Sequence, residues 1–411
     1  MARTLTNPRL DRLTDYPFTR LAELLEPLPA PPGMGPIPLH VGDPQLGAPE
    51  IVTRALAEHA AAWGRYPVHA GSAGFRTAAT AWLCRRFGLP EGCLDPERHV
   101  LPVAGSKEGL FHMGMLCVPD GGHGNGSAPA VLMPNPVYQV YYGAAVLAGG
   151  EPICVPATAA GGFMPDFCAL DRELLDRTAL AFLCNPSNPQ GAIADLDYLQ
   201  SAIRLAREYG FVLVVDECYS EIYRARGTPP VGALQACLTL PAHGGNPFAN
   251  VLVLHSLSKR SSAPGLRCGF IAGDPDLLAR YRIIRNYGSA SVPDPVLAAG
   301  AALLADEAHV EAARRHYDDL FDLAARALGN TPGFRNAPGG FFLWLDVGDG
   351  EAAAQRFWRE AGVRVMPGGY MAQTDPATGR NPGDPYVRVA LVHRPAVAAE
   401  ALDRMARVLG V

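Results

Sequence analysis

The sequence predicts an α/β fold built on a largely parallel sheet, and two features of its hydropathy carry that expectation. Short, uninterrupted apolar runs recur at 130–133, 179–184, 211–216, 251–255 and 269–272. A strand buried on both faces reads as a continuous apolar run, whereas one with a solvent face alternates. Amphipathic stretches with helical spacing lie between the runs, which places the sheet between two layers of helices.

The elements follow in chain order. Residues 1–49 are rich in proline and lack sustained periodicity, so they are expected to form an N-terminal arm that packs with a smaller domain. Residues 50–290 make up the expected large domain. Within it, residues 74–87 place Phe75, Ala79, Leu83 and Phe87 at helical spacing, and 198–209 does the same with Leu199, Ile203 and Ala206. The glycine-rich run at 121–126 reads as a surface loop. From about residue 295 a long helical periodicity continues to Leu328 and leads into two apolar runs, 341–347 and 386–392. In the second run Val387, Val389 and Leu391 alternate with Arg388, the mark of a strand that presents one arginine from mid-strand. Residues 291–411 are therefore expected to form a small α+β domain.

Composition narrows the class of function. With 411 residues and 48% hydrophobic content the chain is long enough for a substantial core. A net charge of −5 with both signs scattered gives no basic footprint for nucleic acid. No apolar stretch is long enough to span a membrane, and the first residues, Met1 to Pro8, show no secretory pattern. The nine cysteines are odd in number and never spaced as C-x-x-C, so neither a disulfide framework nor a zinc site is expected, and a reducing cytoplasm is.

Chemistry concentrates at the ends of the apolar runs, where open α/β sheets present ligands. Ser256-Leu257-Ser258-Lys259 follows 251–255 and is followed by Pro264-Gly265-Leu266-Arg267. Asn188 lies in Asn185-Pro186-Ser187-Asn188-Pro189, and Asp216-Glu217-Cys218-Tyr219 closes the run before. This set of a lysine, a carboxylate, an amide, a phenol, hydroxyls and an arginine suits pyridoxal 5′-phosphate. Lys259 would form the resting Schiff base and then shuttle a proton as base and acid. Asp216 would keep the ring nitrogen protonated, and Asn188 and Tyr219 would donate to the phenolate oxygen. Gly105-Ser106-Lys107 at a helix start, with Ser256, Ser258 and Arg267, would hold the phosphate. There the backbone of Lys107 suffices without its side chain. Tyr138 offers a ring to stack on the pyridine, and Arg388 a planar fork for a carboxylate. Singly each residue has an ordinary structural use; their fixed order at successive strand ends does not.

At these residues the chain resembles the fold-type I pyridoxal-phosphate aminotransferases of class I/II, over nearly its whole length. Only Cys268, in place of an aliphatic residue, departs from the lysine signature. The resemblance implies a mostly parallel seven-stranded sheet and a homodimer with shared active sites. It further implies that Tyr66, in Arg65-Tyr66-Pro67, reaches the phosphate of the partner subunit's cofactor, and that Gly42 and Arg388 bind the substrate α-carboxylate. Met133 to Tyr141, Ser258-Lys259-Arg260-Ser261, Asp306 to Val310, Asn381-Pro382-Gly383 and Tyr16-Pro17-Phe18 are similar to the proteobacterial succinyldiaminopimelate aminotransferases. That similarity implies exchange between N-succinyl-L,L-2,6-diaminopimelate and 2-oxoglutarate, in lysine and diaminopimelate biosynthesis. The loop from Val68 to Gly74 departs from that pattern. Arg65, His69, Arg260 and Asn286 are candidates for the distal carboxylates of such a substrate, and Tyr16 and Phe18 for closing the pocket.

Three alternatives share most of these residues. Another aminotransferase specificity (aspartate, aromatic or N-acetylornithine) would use the same site. A carbon–sulfur β-lyase would run a different reaction on the same fold. A regulator that keeps the lysine without turnover would carry a DNA-binding extension, for which an arm of 49 residues rich in proline is a poor candidate.

Overall fold

A computed structural model describes residues 5–120 and 127–411. The expected loop at 121–126 and the first four residues lie outside the described residues. Seven strands form the large sheet, in the order Val100–Val103, Gly269–Gly273, Val251–Ser256, Val212–Asp216, Thr178–Cys184, Ala130–Asn135 and Glu151–Pro156. Gly269–Gly273 runs antiparallel to both its neighbours, and every other pairing is parallel.

The continuity of the apolar runs has the cause expected of it. In Val212–Asp216, Leu213 and Val215 enter the core on one side of the sheet, while Val212 and Val214 enter the core on the other. Ala181 and Leu183 divide from Leu180 and Phe182 in the same way. Helices are set by their ends as much as by their faces. Ser72 accepts from the Phe75 N–H to open Ala73–Phe87, and Gly88 closes it at φ +62°. Asp195 opens Leu196–Tyr209 by accepting from the Tyr198 N–H, and Gly210 closes it in the left-handed conformation. The edge strand Glu151–Pro156 has no counterpart among the five apolar runs, because two prolines and a half-exposed pattern hide it.

The smaller domain has its own three-stranded antiparallel sheet, ordered Met366–Pro367, Tyr386–Ala390, Phe342–Asp346. Its core joins Phe341, Leu343 and Val389 to the helices Ala308–Leu328, Gly350–Ala361 and Pro395–Leu409. The boundary expected at residue 291 is displaced. Helix Asp294–Ala305 buries Val296, Leu297, Leu303 and Leu304 in the core of the large domain, so the change of core falls between Ala305 and Ala308.

The arm is more regular than its composition suggested. Pro17–Leu25 is a nine-residue helix that buries Leu21 and Leu25 against Trp358, Met366 and Met371. Ile37–Pro38 then pairs in parallel with Val363–Arg364. Both contacts tie the arm to the smaller domain and bring Tyr16, Phe18, Val41 and Gly42 to the cleft between the two sheets. No described helix is long and apolar enough to cross a membrane.

Candidate active site

The strand ends and the arm enclose a cavity of about 300 Å³. Lys259 lies in the short helix Leu257–Arg260, immediately after the strand Val251–Ser256, and its Nζ donates to the Gly42 carbonyl at 2.5 Å. Burial pushes the amine below the ordinary lysine range, although Cys218 and Asp43 pull it partly back. Lowering its basicity eases loss of the proton that a nucleophile or base must shed.

Asp216 closes the neighbouring strand and is almost fully buried. Burial raises its carboxyl above the usual range, while hydrogen bonds from the Cys218 backbone N–H at 3.2 Å and the Tyr141 hydroxyl at 3.0 Å draw it back toward the anion. Tyr141 is itself fixed by stacking on Phe182, with ring centroids 4.5 Å apart. Tyr138 and Tyr219 face the same cavity.

At the other end, the helix Ser106–Cys117 begins without a side-chain cap, which leaves first-turn N–H groups for an anion. Arg267 has a left-handed backbone, φ +54°, that brings its guanidinium beside this helix start. It donates to the Ala104 carbonyl at 2.9 Å and the Pro264 carbonyl at 2.8 Å. A Cβ on Gly105 would stand 2.4 Å from an Arg267 terminal nitrogen, and φ +80° there favours glycine independently. Ser256 and Ser258 complete this end, their hydroxyls 2.9 Å apart.

Arg388 enters from the smaller domain's central strand. It is buried over the Phe342 ring and bonds only neutral oxygens: Oδ1 of Asn188 at 3.3 Å and the His40 carbonyl at 2.8 Å. Its Nε has no partner, and burial draws the guanidinium down to about 10. Burying this cation with no carboxylate beside it is costly unless an incoming anion completes the pairing. Gly42 keeps the approach open, since a Cβ there would meet the Phe342 ring at 2.5 Å.

Most of the expected site is thus gathered in one cavity, with two exceptions of place. Gly105 touches it through Arg267 rather than lining it. Tyr66 is fully exposed and does not line it in this chain. Lys107 does line it with its side chain, whose Nζ lies 5.7 Å from the Tyr16 ring centre. Among the candidates for distal carboxylates, none lines the cavity. Arg260 is buried elsewhere, donating to the Leu303 carbonyl, paired with Glu307 and resting on Trp82. Arg65 and Asn286 are exposed, and His69 meets Ser291. Tyr141, Cys184, Cys218, Phe342, Met366 and Met371 line the cavity without having been singled out. Tyr141 had a signal, one helical turn beyond Tyr138.

Residues 35–405 match the model of aminotransferase class I and II. The chain belongs to that family. It is 33% identical over 411 residues to an LL-diaminopimelate aminotransferase of Desulforudis audaxviator, covering 98% of this chain and 97% of the relative. An aminotransferase from Neisseria meningitidis superposes with a TM-score of 0.90 at 38% identity, over 97% of this chain and 99% of that one. A probable N-succinyldiaminopimelate aminotransferase from Thermus thermophilus gives 0.81 at 27%, over 95% and 100%.

Aminotransferases of this family use pyridoxal phosphate. The residues present fit it: a cradle at Gly105 that a Cβ would fill, beside a guanidinium, two hydroxyls and free helix N–H groups, suits a phosphate. Opposite it, a buried carboxylate and a half-buried lysine of lowered basicity suit a protonated ring nitrogen and an aldehyde.

Proposed function

We propose that this aminotransferase exchanges an amino group reversibly between N-succinyl-L,L-2,6-diaminopimelate and 2-oxoglutarate, running from glutamate to the 6-oxo acid on the route to lysine and diaminopimelate. When bound, the cofactor supplies an aldehyde that condenses with amines and a ring that withdraws electrons from the substrate α-carbon. Lys259 Nζ would hold that aldehyde at rest and, once displaced by the substrate amine, would take the α-proton as a base and give it back as an acid. Asp216 holds the ring-nitrogen proton, while Asn188 and Tyr219 donate to the ring oxygen. Ser106, Ser256, Ser258, Arg267 and the backbone of Gly105 and Lys107 hold the phosphate, and Tyr138 stacks on the ring. Arg388, with Gly42, takes the α-carboxylate.

The charge of the cavity wall supports the choice of donor. Lys107, Lys259, Arg267 and Arg388 line it, against a single carboxylate, Asp216, which is committed to the ring. Of the four cations, Lys107 lies toward the arm, against Tyr16, and is left over for the far end of a substrate. A succinylated donor carries carboxylates there and no ammonium. The unacylated L,L-diaminopimelate carries a distal ammonium that no described carboxylate in the wall would receive, yet the name of the Desulforudis relative favours it.

The test is a comparison of kcat/KM for the two donors with 2-oxoglutarate as acceptor. Preference for the succinylated donor by roughly tenfold or more, the worth of one charge-assisted contact, supports the proposal. Preference for the free diamino acid contradicts it.

Tyr66 belongs to the same proposal, as the residue that reaches the partner subunit's cofactor phosphate in a homodimer. Complete exposure of its ring in the single chain, with Trp63, Val68, Met115 and Tyr287 also mostly exposed, supports a covering partner.

A further inference from the structure

We infer that Glu108 and Arg285 are a positioning pair for the phosphate cradle, an inference that rests on the Gly105–Arg267 end of the cavity holding the cofactor phosphate. One Glu108 oxygen, Oε2, accepts from the Ala104 N–H at 2.7 Å and faces Arg285 at 3.5 Å. The same Ala104 residue offers its carbonyl to Arg267 at 2.9 Å. A continuous relay therefore runs from helix Pro275–Gly288 through Glu108 and the Ala104 peptide units to the guanidinium that faces the cradle.

The chemistry of the pair needs explaining, because each member is unfavourable alone. Glu108 sits in the first turn of the helix whose start would hold a phosphate, and an unpaired carboxylate there repels a dianion. Arg285 is 0% exposed, with Nε and one terminal nitrogen unpartnered, a burial that is costly without a counter-charge. Together they solve both problems. Arg285 cancels the charge of Glu108 from behind, and Glu108 occupies the Ala104 N–H without capping the first-turn N–H groups left for the anion. The Ala104 carbonyl then stays oriented toward Arg267. Neither side chain lines the cavity, so both act through other residues.

The readout that separates positioning from general support is the affinity for pyridoxal 5′-phosphate measured beside that for pyridoxal, which lacks the phosphate. With cofactor removed and added back, Glu108→Ala is expected to raise the Kd for pyridoxal phosphate roughly tenfold, and that for pyridoxal by no more than about twofold. Glu108→Gln, which keeps an oxygen for Ala104, is expected to recover most of the loss. Arg285→Met is expected to act like Glu108→Ala; if it does not fold, judged by its melting curve, Arg285→Lys takes its place. Equal losses for the two ligands, or no loss for either in folded variants, would overturn the positioning role. A wild-type protein that binds pyridoxal phosphate no better than pyridoxal would overturn the phosphate reading of the cradle itself.

Discussion

At the residue scale, Lys259 sets function against stability. Its pKa is lowered in the folded state by burial, so the unfolded chain binds the proton more tightly. Stability therefore rises with pH between the lowered pKa and the ordinary one near 10.5, and the burial cost is present in full below that window. Lys259→Met should make the cofactor-free protein more stable to urea at pH 7, with the gain shrinking as the pH approaches 10.5. Equal gains at both pH values would mean that the amine is not desolvated. In the loaded protein, Lys259→Ala should lower turnover by on the order of a thousandfold or more with the fold intact. Activity near wild type would remove Lys259 from the reaction. Asp216→Asn should still bind cofactor but lose roughly a hundredfold in kcat, because an amide does not hold the ring-nitrogen proton. Full activity in that variant would displace Asp216 from its assigned role. Lys259, Asp216, Asn188, Arg267 and Arg388 were legible because each is a polar group of definite chemistry at a strand end or mid-strand. The two cavity cysteines were not, since a thiol amid apolar neighbours reads as core, and Tyr141 offered only its spacing from Tyr138.

At the element scale, periodicity found what is buried on two sides and missed what is buried on one. The five central apolar runs became strands because both of their faces meet helices. The edge strand Glu151–Pro156 is half-exposed and the arm helix Pro17–Leu25 buries a single face, and prolines mask both. Helix Asp294–Ala305 was assigned to the wrong side of the domain boundary because its composition is apolar nearly all round and says nothing of which core it joins. The turn at Gly105 carries the sharpest prediction at this scale. Gly105→Ala combines an unfavourable φ of +80° with a 2.4 Å approach to Arg267, so the guanidinium must move. Cofactor affinity should fall by roughly tenfold or more, at a cost in stability of about 1–3 kcal/mol. Unchanged affinity would show that Arg267 is not held where the phosphate needs it.

At the scale of the whole molecule, the cavity draws on both sheets and on the arm. Lys259 and Asp216 come from the large sheet, Arg388 from the small one, and Gly42 and Tyr16 from the segment that ties the arm to the small domain. A movement of one domain against the other would therefore change the distance between Arg388 and Lys259. The role proposed for Tyr66 would extend this sharing to a second subunit. Tyr66→Phe should leave the melting temperature of the cofactor-free protein nearly unchanged, because it removes one hydroxyl from a side chain fully exposed in its own chain. It should raise the Kd for pyridoxal phosphate roughly tenfold in the assembled protein, for the loss of one hydrogen bond to a charged group. An unaltered Kd would take Tyr66 out of the cofactor site.

The most direct measurement is a single half-reaction. Cofactor-loaded protein is mixed with N-succinyl-L,L-diaminopimelate and no acceptor, and the cofactor and products are then recovered. Amino-group transfer through Lys259 predicts one equivalent of aminated cofactor and one of the corresponding 2-oxo acid per site, with none in Lys259→Ala. Release of free ammonia with the cofactor unchanged, or no reaction in a protein that has bound its cofactor through Lys259, would contradict it.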